Sequence, residues 1–158
     1  MTPRKVLGPL GLLDLGSVVL KLITALAIML TGCTEHTLNG KRAFDVFADD
    51  RVLDVVKSAC KGDIAKVKML IERGVDPNAR GLEGVTPILW TLSCLNREGL
   101  EALLQNGADP DLGIDGTFLP VIVAATYDDP VMLAVLLDYG ANPNVADAKA
   151  TQTPLYKA

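Results

Sequence analysis

One short phrase recurs three times in this chain at a fixed spacing, and it constrains the fold more than any other feature. It reads glycine, valine or alanine, Asp or Asn, proline, and Asn or Asp, at positions 74–78, 107–111 and 140–144. Each copy begins 33 residues after the previous one. A constant period of this length is typical of stacked repeat arrays. Such an array usually supplies a binding surface rather than an active site.

Apolar residues extend the register of the repeats beyond this phrase. In each unit they recur at i, i+3 and i+4, which is one face of a helix. The equivalent sets are Val67, Leu70 and Ile71, then Leu100, Leu103 and Leu104, then Leu133, Leu136 and Leu137. Aligned apolar pairs at 55–56, 88–89 and 121–122 indicate an earlier helix in each unit. Each unit therefore contains two short helices and a turn, and neither helix could bury its apolar face alone.

The predicted helix ends carry suitable capping residues. Asp63, Asn96 and Asp129 stand where the second helices begin, and Pro130 follows the last of them. These side chains favour the N-cap position, and proline favours the first helical position. The glycine of each phrase stands where the helix ends and a left-handed residue is needed.

This pattern resembles the ankyrin repeat family over residues 50–158. The family's Thr-Pro-Leu-His-x-Ala signature corresponds to 86–91 and 153–158, while the third repeat keeps only Pro120. The signature histidine is missing throughout. The resemblance implies an all-α solenoid with complete repeats at 51–83, 84–116 and 117–150 and a partial fourth at 151–158. A truncated sequence would explain the partial unit.

The N-terminus has the layout of a secretory signal peptide. Arg4, Lys5 and Lys21 precede an apolar run at 22–30, and small residues follow. As a helix this run would reach only about 13 Å at 1.5 Å per residue, which is short for a hydrocarbon core of roughly 30 Å. The alternative is an uncleaved transmembrane anchor starting near Val6. The long stretch before Lys21 leaves the true start codon open.

The four residues at 30–33, Leu-Thr-Gly-Cys, resemble the lipobox of bacterial lipoproteins. The resemblance implies cleavage after residue 32, lipidation of Cys33 and a membrane anchor for a chain that faces the periplasm. Thr34 takes the place of the Asp that favours the inner membrane, so the outer membrane is expected. Residues 33–50 are then a tether and N-terminal cap, in which Phe44 and Phe47 pack over the first repeat.

Charge narrows the class of partner. The formal net charge is −4, so a nucleic-acid partner, which needs a concentrated basic face, is disfavoured. Residues 81–158 carry three basic and ten acidic side chains. This half of the chain would steer a basic partner surface, and ordinary solubility is the alternative explanation.

The sequence offers no catalytic constellation. The only histidine, His36, lies in the expected tether, and no phosphate-binding glycine loop is present. We predict no enzyme activity, no cofactor, no metal and no small-molecule substrate. Cys60 is interpreted as a small buried hydrophobe, and a disulfide between Cys60 and Cys94 in an oxidising periplasm is the other interpretation.

The ankyrin resemblance also implies a binding face, because turn fingers and first helices form the concave surface in that family. The exposed signature position falls on Lys57, Trp90, Val123 and Lys157. One turn further lie Lys61, Cys94 and Tyr127, and the fingers contribute Val85 and Phe118. We expect a docking cluster of Trp90, Phe118 and Tyr127, since Trp and Tyr are enriched at hot spots. The alternative places Trp90 in the core between repeats.

The expected function is therefore protein binding by a lipoprotein of the Gram-negative envelope. Within that class the chain resembles small ankyrin lipoproteins that serve as immunity partners of type VI secretion effectors, often phospholipases. The resemblance implies a secreted toxin as the partner. The alternative is a periplasmic scaffold or an ankyrin protein associated with protection from peroxide.

Overall fold

The computed structural model describes residues 36–114, 118–127 and 129–145. Three helix pairs follow one another: α2 (Asp50–Lys61) and α3 (Ile64–Glu72), α4 (Pro87–Ser93) and α5 (Arg97–Gln105), and α6 (Pro120–Thr126) and α7 (Pro130–Asp138). They are preceded by a short antiparallel hairpin, β1 (Thr37–Leu38) and β2 (Lys41–Arg42), and by α1 (Ala43–Val46). These pairs confirm the predicted all-α repeat architecture. The predicted signal peptide, Cys33 and the partial fourth repeat lie outside the described residues.

Side-chain caps begin all three second helices as the sequence predicts. The carboxylate of Asp63 accepts a hydrogen bond from the backbone N–H of Lys66, and the amide oxygen of Asn96 accepts one from Gly99. The carboxylate of Asp129 accepts from the two N–H groups that follow Pro130. These bonds satisfy donors that have no partner within the helix.

The recurring phrase ends each second helix in the same way. Gly74, Gly107 and Gly140 have φ values of 89°, 92° and 90°, which confirms the predicted left-handed position. The N–H of the next residue then reaches back five residues to a helix carbonyl, as Val75 does to Leu70. This is a Schellman-type ending, and glycine adopts it without the steric cost that a Cβ would impose.

The polar residues of the phrase close the turn and also link neighbouring turns. The Asp76 carboxylate accepts from the N–H of Asn78 within its own turn. The amide of Asn78 then donates to the carbonyl of Gly107 and accepts from the N–H of Asp109, at 2.9 and 2.8 Å. One repeat later, Asp111 accepts from the N–H of Asn142 at 2.9 Å. The period of 33 residues therefore corresponds to a ladder of hydrogen bonds between stacked turns.

The aligned apolar residues form one continuous core along the array. Val67, Leu100, Leu103 and Leu136 are fully buried, while Leu137, the last residue of the aligned sets, is exposed. Helices α2 and α4 pack on each other, as do α4 and α6, and α5 packs on both α3 and α7. No helix within the described ranges is long and apolar enough to cross a membrane.

Candidate protein-binding face

Trp90 does not lie on an open face. Only 1% of its surface is exposed, so its predicted role as a freely accessible docking residue is wrong in this structure. Its indole meets two rings from the N-terminal segment of the same chain, His36 at 6.2 Å and Phe47 at 5.9 Å between ring centroids, both edge-on. Such edge-on aromatic pairs are favourable, and burial of a large indole removes much apolar surface from water. The N-terminal segment of the chain itself therefore covers the side chain that the sequence predicts to be open to a partner.

The segment 36–42, which we call the N-terminal hairpin, also makes two polar contacts on either side of Trp90. The ammonium group of Lys41 lies 2.6 Å from the carboxylate of Glu83, in the 3₁₀ turn Leu82–Gly84. The imidazole Nε2 of His36 lies 2.9 Å from the hydroxyl of Ser93, at the end of α4. The hairpin thus spans from the turn before α4 to the end of that helix.

The turn of the hairpin has a recognisable cause in the sequence. Asn39 and Gly40 both have positive φ, at 51° and 75°, as a two-residue hairpin turn requires. An Asn-Gly pair is the strongest short-range hairpin signal, so this pair could have revealed the hairpin. The interpretation of residues 33–50 as a tether and N-terminal cap does not include it.

A short polar junction joins the N-terminal hairpin to α1. The carboxylate of Asp45 accepts a hydrogen bond from the backbone N–H of Arg42 at 2.9 Å and one from its guanidinium at 3.3 Å. The backbone hydrogen bond is the main cause that lowers the pKa of Asp45 below its ordinary value. Beyond this junction Ala43, Val46 and Phe47 are buried, whereas Phe44 is exposed. Of the two phenylalanines predicted to cap the first repeat, only Phe47 packs into the core.

The remaining predicted contact residues divide by exposure. Lys57 and Lys61 are exposed on α2, four residues apart and therefore on the same face. Val85 is buried, so its predicted role as a finger contact is also wrong. Its backbone carbonyl accepts the N–H of Gly81 at 2.8 Å, and its side chain is part of the core.

Phe118 and Tyr127 remain exposed, at 59% and 45%. Phe118 pairs with Ile114 across the finger through two backbone hydrogen bonds of 3.3 Å, and Tyr127 is the residue that ends α6. They flank a helix of seven residues, which is about 10 Å long at 1.5 Å per residue. The structure therefore does not gather Trp90, Phe118 and Tyr127 into one cluster. It leaves two exposed aromatic anchors at opposite ends of α6.

Cys60 and Cys94 form a disulfide, which corrects the interpretation of Cys60 as a simple buried hydrophobe. Their Cα atoms lie 5.4 Å apart, within the usual range for a disulfide. The repeat period explains this proximity, because Cys94 lies one residue beyond the position equivalent to Cys60 in the next repeat. Cys94 is therefore engaged in a covalent link and is half-buried.

The comparison with known proteins points to one type of repeat. An ankyrin repeat protein of Acanthamoeba polyphaga mimivirus is 31% identical over 100 residues, 63% of this chain and 13% of that protein. The mouse ankyrin repeat and SOCS box protein 16 is 38% identical over 88 residues, 50% of this chain and 19% of that protein. No protein-family model matches the chain.

The similarity does not by itself separate binding proteins from enzymes. The palmitoyltransferase Hip14 of Drosophila melanogaster is 31% identical over 97 residues, 61% of this chain and 15% of that protein. The chain spans less than a fifth of the length of each of these three relatives. The absence of enzyme activity stays a prediction, and within the described part of the chain no cluster of His, Cys, Asp and Glu has the composition of a metal site. The stacked helix pairs, the recurring turn and these relatives together show an all-α ankyrin repeat solenoid.

Proposed function

We propose that this chain binds a protein partner through the surface around α6, with Phe118 and Tyr127 as its aromatic anchors. The observation that carries the proposal is the exposure of these two side chains, 59% and 45%. The third aromatic residue of the predicted cluster, Trp90, is covered by the N-terminal segment of the chain. Exposed aromatic residues supply much of the binding energy in protein interfaces when a partner desolvates them. The acidic excess of residues 81–158 favours a partner with a basic surface.

We also propose that the protein lies in the bacterial envelope. A lipid anchor at Cys33 holds it at the outer membrane, and the array faces the periplasm. The lipobox-like residues and the preceding apolar run support it. The disulfide between Cys60 and Cys94 adds support, because such bonds persist in the oxidising periplasm and are rare in the cytosol. Labelling with radioactive palmitate tests the anchor: we expect incorporation in the full chain and none in Cys33→Ala, and equal labelling of both would contradict it.

Within this location we propose an immunity role, in which the array binds and neutralises a secreted effector such as a phospholipase. The support is the combination of lipobox-like residues, an ankyrin array and small size. Expression of the full chain should protect a sensitive strain from the effector. Loss of peroxide resistance in a deletion strain, with unchanged toxin resistance, would favour the scaffold alternative instead.

The anchors are tested by capture of the partner from envelope extracts with the tagged full chain. Phe118→Ala and Tyr127→Ala should each weaken binding by about tenfold or more. Val131→Ala is the matched control, because Val131 is similarly exposed but lies on α7. Equal recovery of the partner with all four proteins would contradict the assignment of this face.

A further inference from the structure

We infer that the N-terminal hairpin is a displaceable cover over Trp90, and that a short basic segment of a protein partner takes its place. This inference rests on the proposed protein-binding function and extends it to a second, covered part of the surface. It starts from the groups that the hairpin contacts, namely the indole of Trp90, the hydroxyl of Ser93 and the carboxylate of Glu83. Together these groups provide an aromatic surface, a hydrogen-bonding hydroxyl and a negative charge.

The N-terminal segment is held at two different strengths. Ala43, Val46 and Phe47 are buried and belong to the core. In the N-terminal hairpin no residue is fully buried, and His36, Thr37, Asn39, Gly40 and Arg42 are exposed. A hairpin with two-residue strands has little stability of its own, and an exposed ion pair contributes little. The segment 36–42 can therefore open while residues 43–47 stay in place.

The hydrogen-bond directions define what can replace the hairpin. The hydroxyl of Ser93 donates to the carbonyl of Trp90 at 2.6 Å, so its single proton is already used. The Nε2 of His36 must then be the donor to Ser93, and a replacement needs a donor at this place. At the other end the carboxylate of Glu83, whose side chain is 72% exposed, forms the same ion pair with any cation that takes the place of the Lys41 ammonium.

Charge complementarity selects the class of occupant. From residue 81 onward the sequence has three basic and ten acidic side chains, so a basic segment is attracted to this half of the chain and an acidic one is repelled. The N-terminal hairpin itself is basic, with Lys41 and Arg42 and no acidic residue between 36 and 42. A partner segment of the same kind, a ring that donates a hydrogen bond followed by a basic residue, satisfies the same three groups.

Opening of the cover is measured on Trp90, the only tryptophan in the chain, by acrylamide quenching of its fluorescence in the full protein. Lys41→Glu places a carboxylate against Glu83, and we expect a several-fold rise in the quenching constant, because like charges repel at this distance. The charge-swapped double variant, Lys41→Glu with Glu83→Lys, should return quenching to the original level. Far-UV circular dichroism should be unchanged in both.

A second, milder variant keeps the test decisive if charge reversal unfolds the protein. His36→Ala with Lys41→Ala removes both polar contacts without introducing repulsion, and it should also raise quenching of Trp90. Unchanged quenching in a folded variant of either kind would show that the repeats and Phe47 alone bury the indole, and it would overturn the inference.

The occupant is tested with a synthetic peptide of the sequence at 36–42, added to the Lys41→Glu protein. We expect the peptide to lower the quenching constant toward that of the original protein, and a peptide with glutamate at the lysine position to have no effect. Equal behaviour of the two peptides would contradict a basic occupant. None of these measurements uses the natural partner, so a failed capture experiment and a failed quenching experiment refute different proposals.

Discussion

The two junctions between successive helix pairs are built differently. The first junction joins the helix pair α2 and α3 to the pair α4 and α5, and the second joins α4 and α5 to the pair α6 and α7. The first contains the disulfide between Cys60 and Cys94, two hydrogen bonds of Asn78 to the next turn, and a hydrogen bond of 3.2 Å from the Arg80 guanidinium to the carbonyl of Gly113. At the second, the turn ladder has, among the described residues, one bond from the N–H of Asn142 to the carboxylate of Asp111, and Gln105 donates to the hydroxyl of Tyr139 at 2.9 Å.

Helix packing shows the same difference. In the first junction α5 packs against α2 as well as α3, whereas in the second the diagonal pair α4 and α7 makes no comparable contact among the described residues. Gly99 is the cause, since α5 approaches α2 where a side chain would strike the backbone of Ala59. The equivalent position one repeat later is Met132. The array is therefore more tightly linked at its N-terminal junction, and its two aromatic anchors lie beside the less constrained junction.

Removal of the disulfide should reduce the stability of the first junction more than any other change. The bond closes a chain segment with a sequence separation of 34, and loop-closure entropy for that length corresponds to about 3–4 kcal/mol of stabilisation. Cys60→Ser with Cys94→Ser should therefore lower the free energy of unfolding by this amount in urea titrations. Reducing agent should have the same effect on the original protein and none on the variant, and equal stability of the two proteins would contradict a structural role for the bond.

Gly99→Ala should destabilise the first junction next most strongly. The added Cβ overlaps the carbonyl oxygen of Ala59, and relief of that overlap requires α5 to move away from α2. We expect a loss of about 2–3 kcal/mol in the free energy of unfolding, the upper range for overpacking. This loss would occur although alanine favours helices more than glycine does.

The control for that variant is Glu98→Ala, which changes the exposed neighbour on the same helix and should shift stability by less than about 0.5 kcal/mol. A neutral Gly99→Ala would mean that the diagonal contact is not a close one. In that case the disulfide and the hydrogen bonds of Asn78 and Arg80 would distinguish the first junction.

The turn ladder permits a comparison at equivalent positions. Asn78→Ala removes two hydrogen bonds to the next turn and should cost about 1–3 kcal/mol, whereas Asp111→Ala removes one and should cost about 1 kcal/mol. Thermal and urea unfolding of the two variants measures the difference directly. A larger loss for Asp111→Ala would reverse the proposed order of the two junctions.

Leu95→Gly should have the smallest effect, and it should stabilise. Leu95 follows Cys94, is 57% exposed and has a φ of 53°, whereas the equivalent residue of the first repeat is Gly62 with a φ of 71°. A left-handed conformation costs a residue with a Cβ roughly 1–2 kcal/mol, and the added freedom of glycine in the unfolded chain offsets part of that gain. We expect a net gain of about 0.5–1 kcal/mol in urea titrations, and any loss would show that Leu95 makes a contact that its exposure does not suggest.

Local residue chemistry was sufficient for the repeats themselves. The phrase at 74–78 and its two copies predicted the left-handed glycines, and Asp63, Asn96 and Asp129 predicted where second helices begin. These features depend on hydrogen bonds within a few residues of each other, so their signal is present in the sequence. Phe118 and Tyr127 are exposed, as the alignment with the ankyrin signature predicts for their positions.

Burial of Trp90 depended on a segment that is distant along the chain. Register alone placed Trp90 at a position equivalent to the exposed Lys57, and nothing local indicates that His36, more than fifty residues earlier, lies against it. The disulfide is similar, since the period brings Cys60 and Cys94 into neighbouring repeats but their distance depends on how closely α2, α4 and α5 pack. The sequence by itself determined the repeat, its helices and its turns, because those follow from contacts near in the chain. Only the tertiary structure decided which surface stays open, because the N-terminal hairpin and the close approach at Gly99 are contacts between distant parts of the chain.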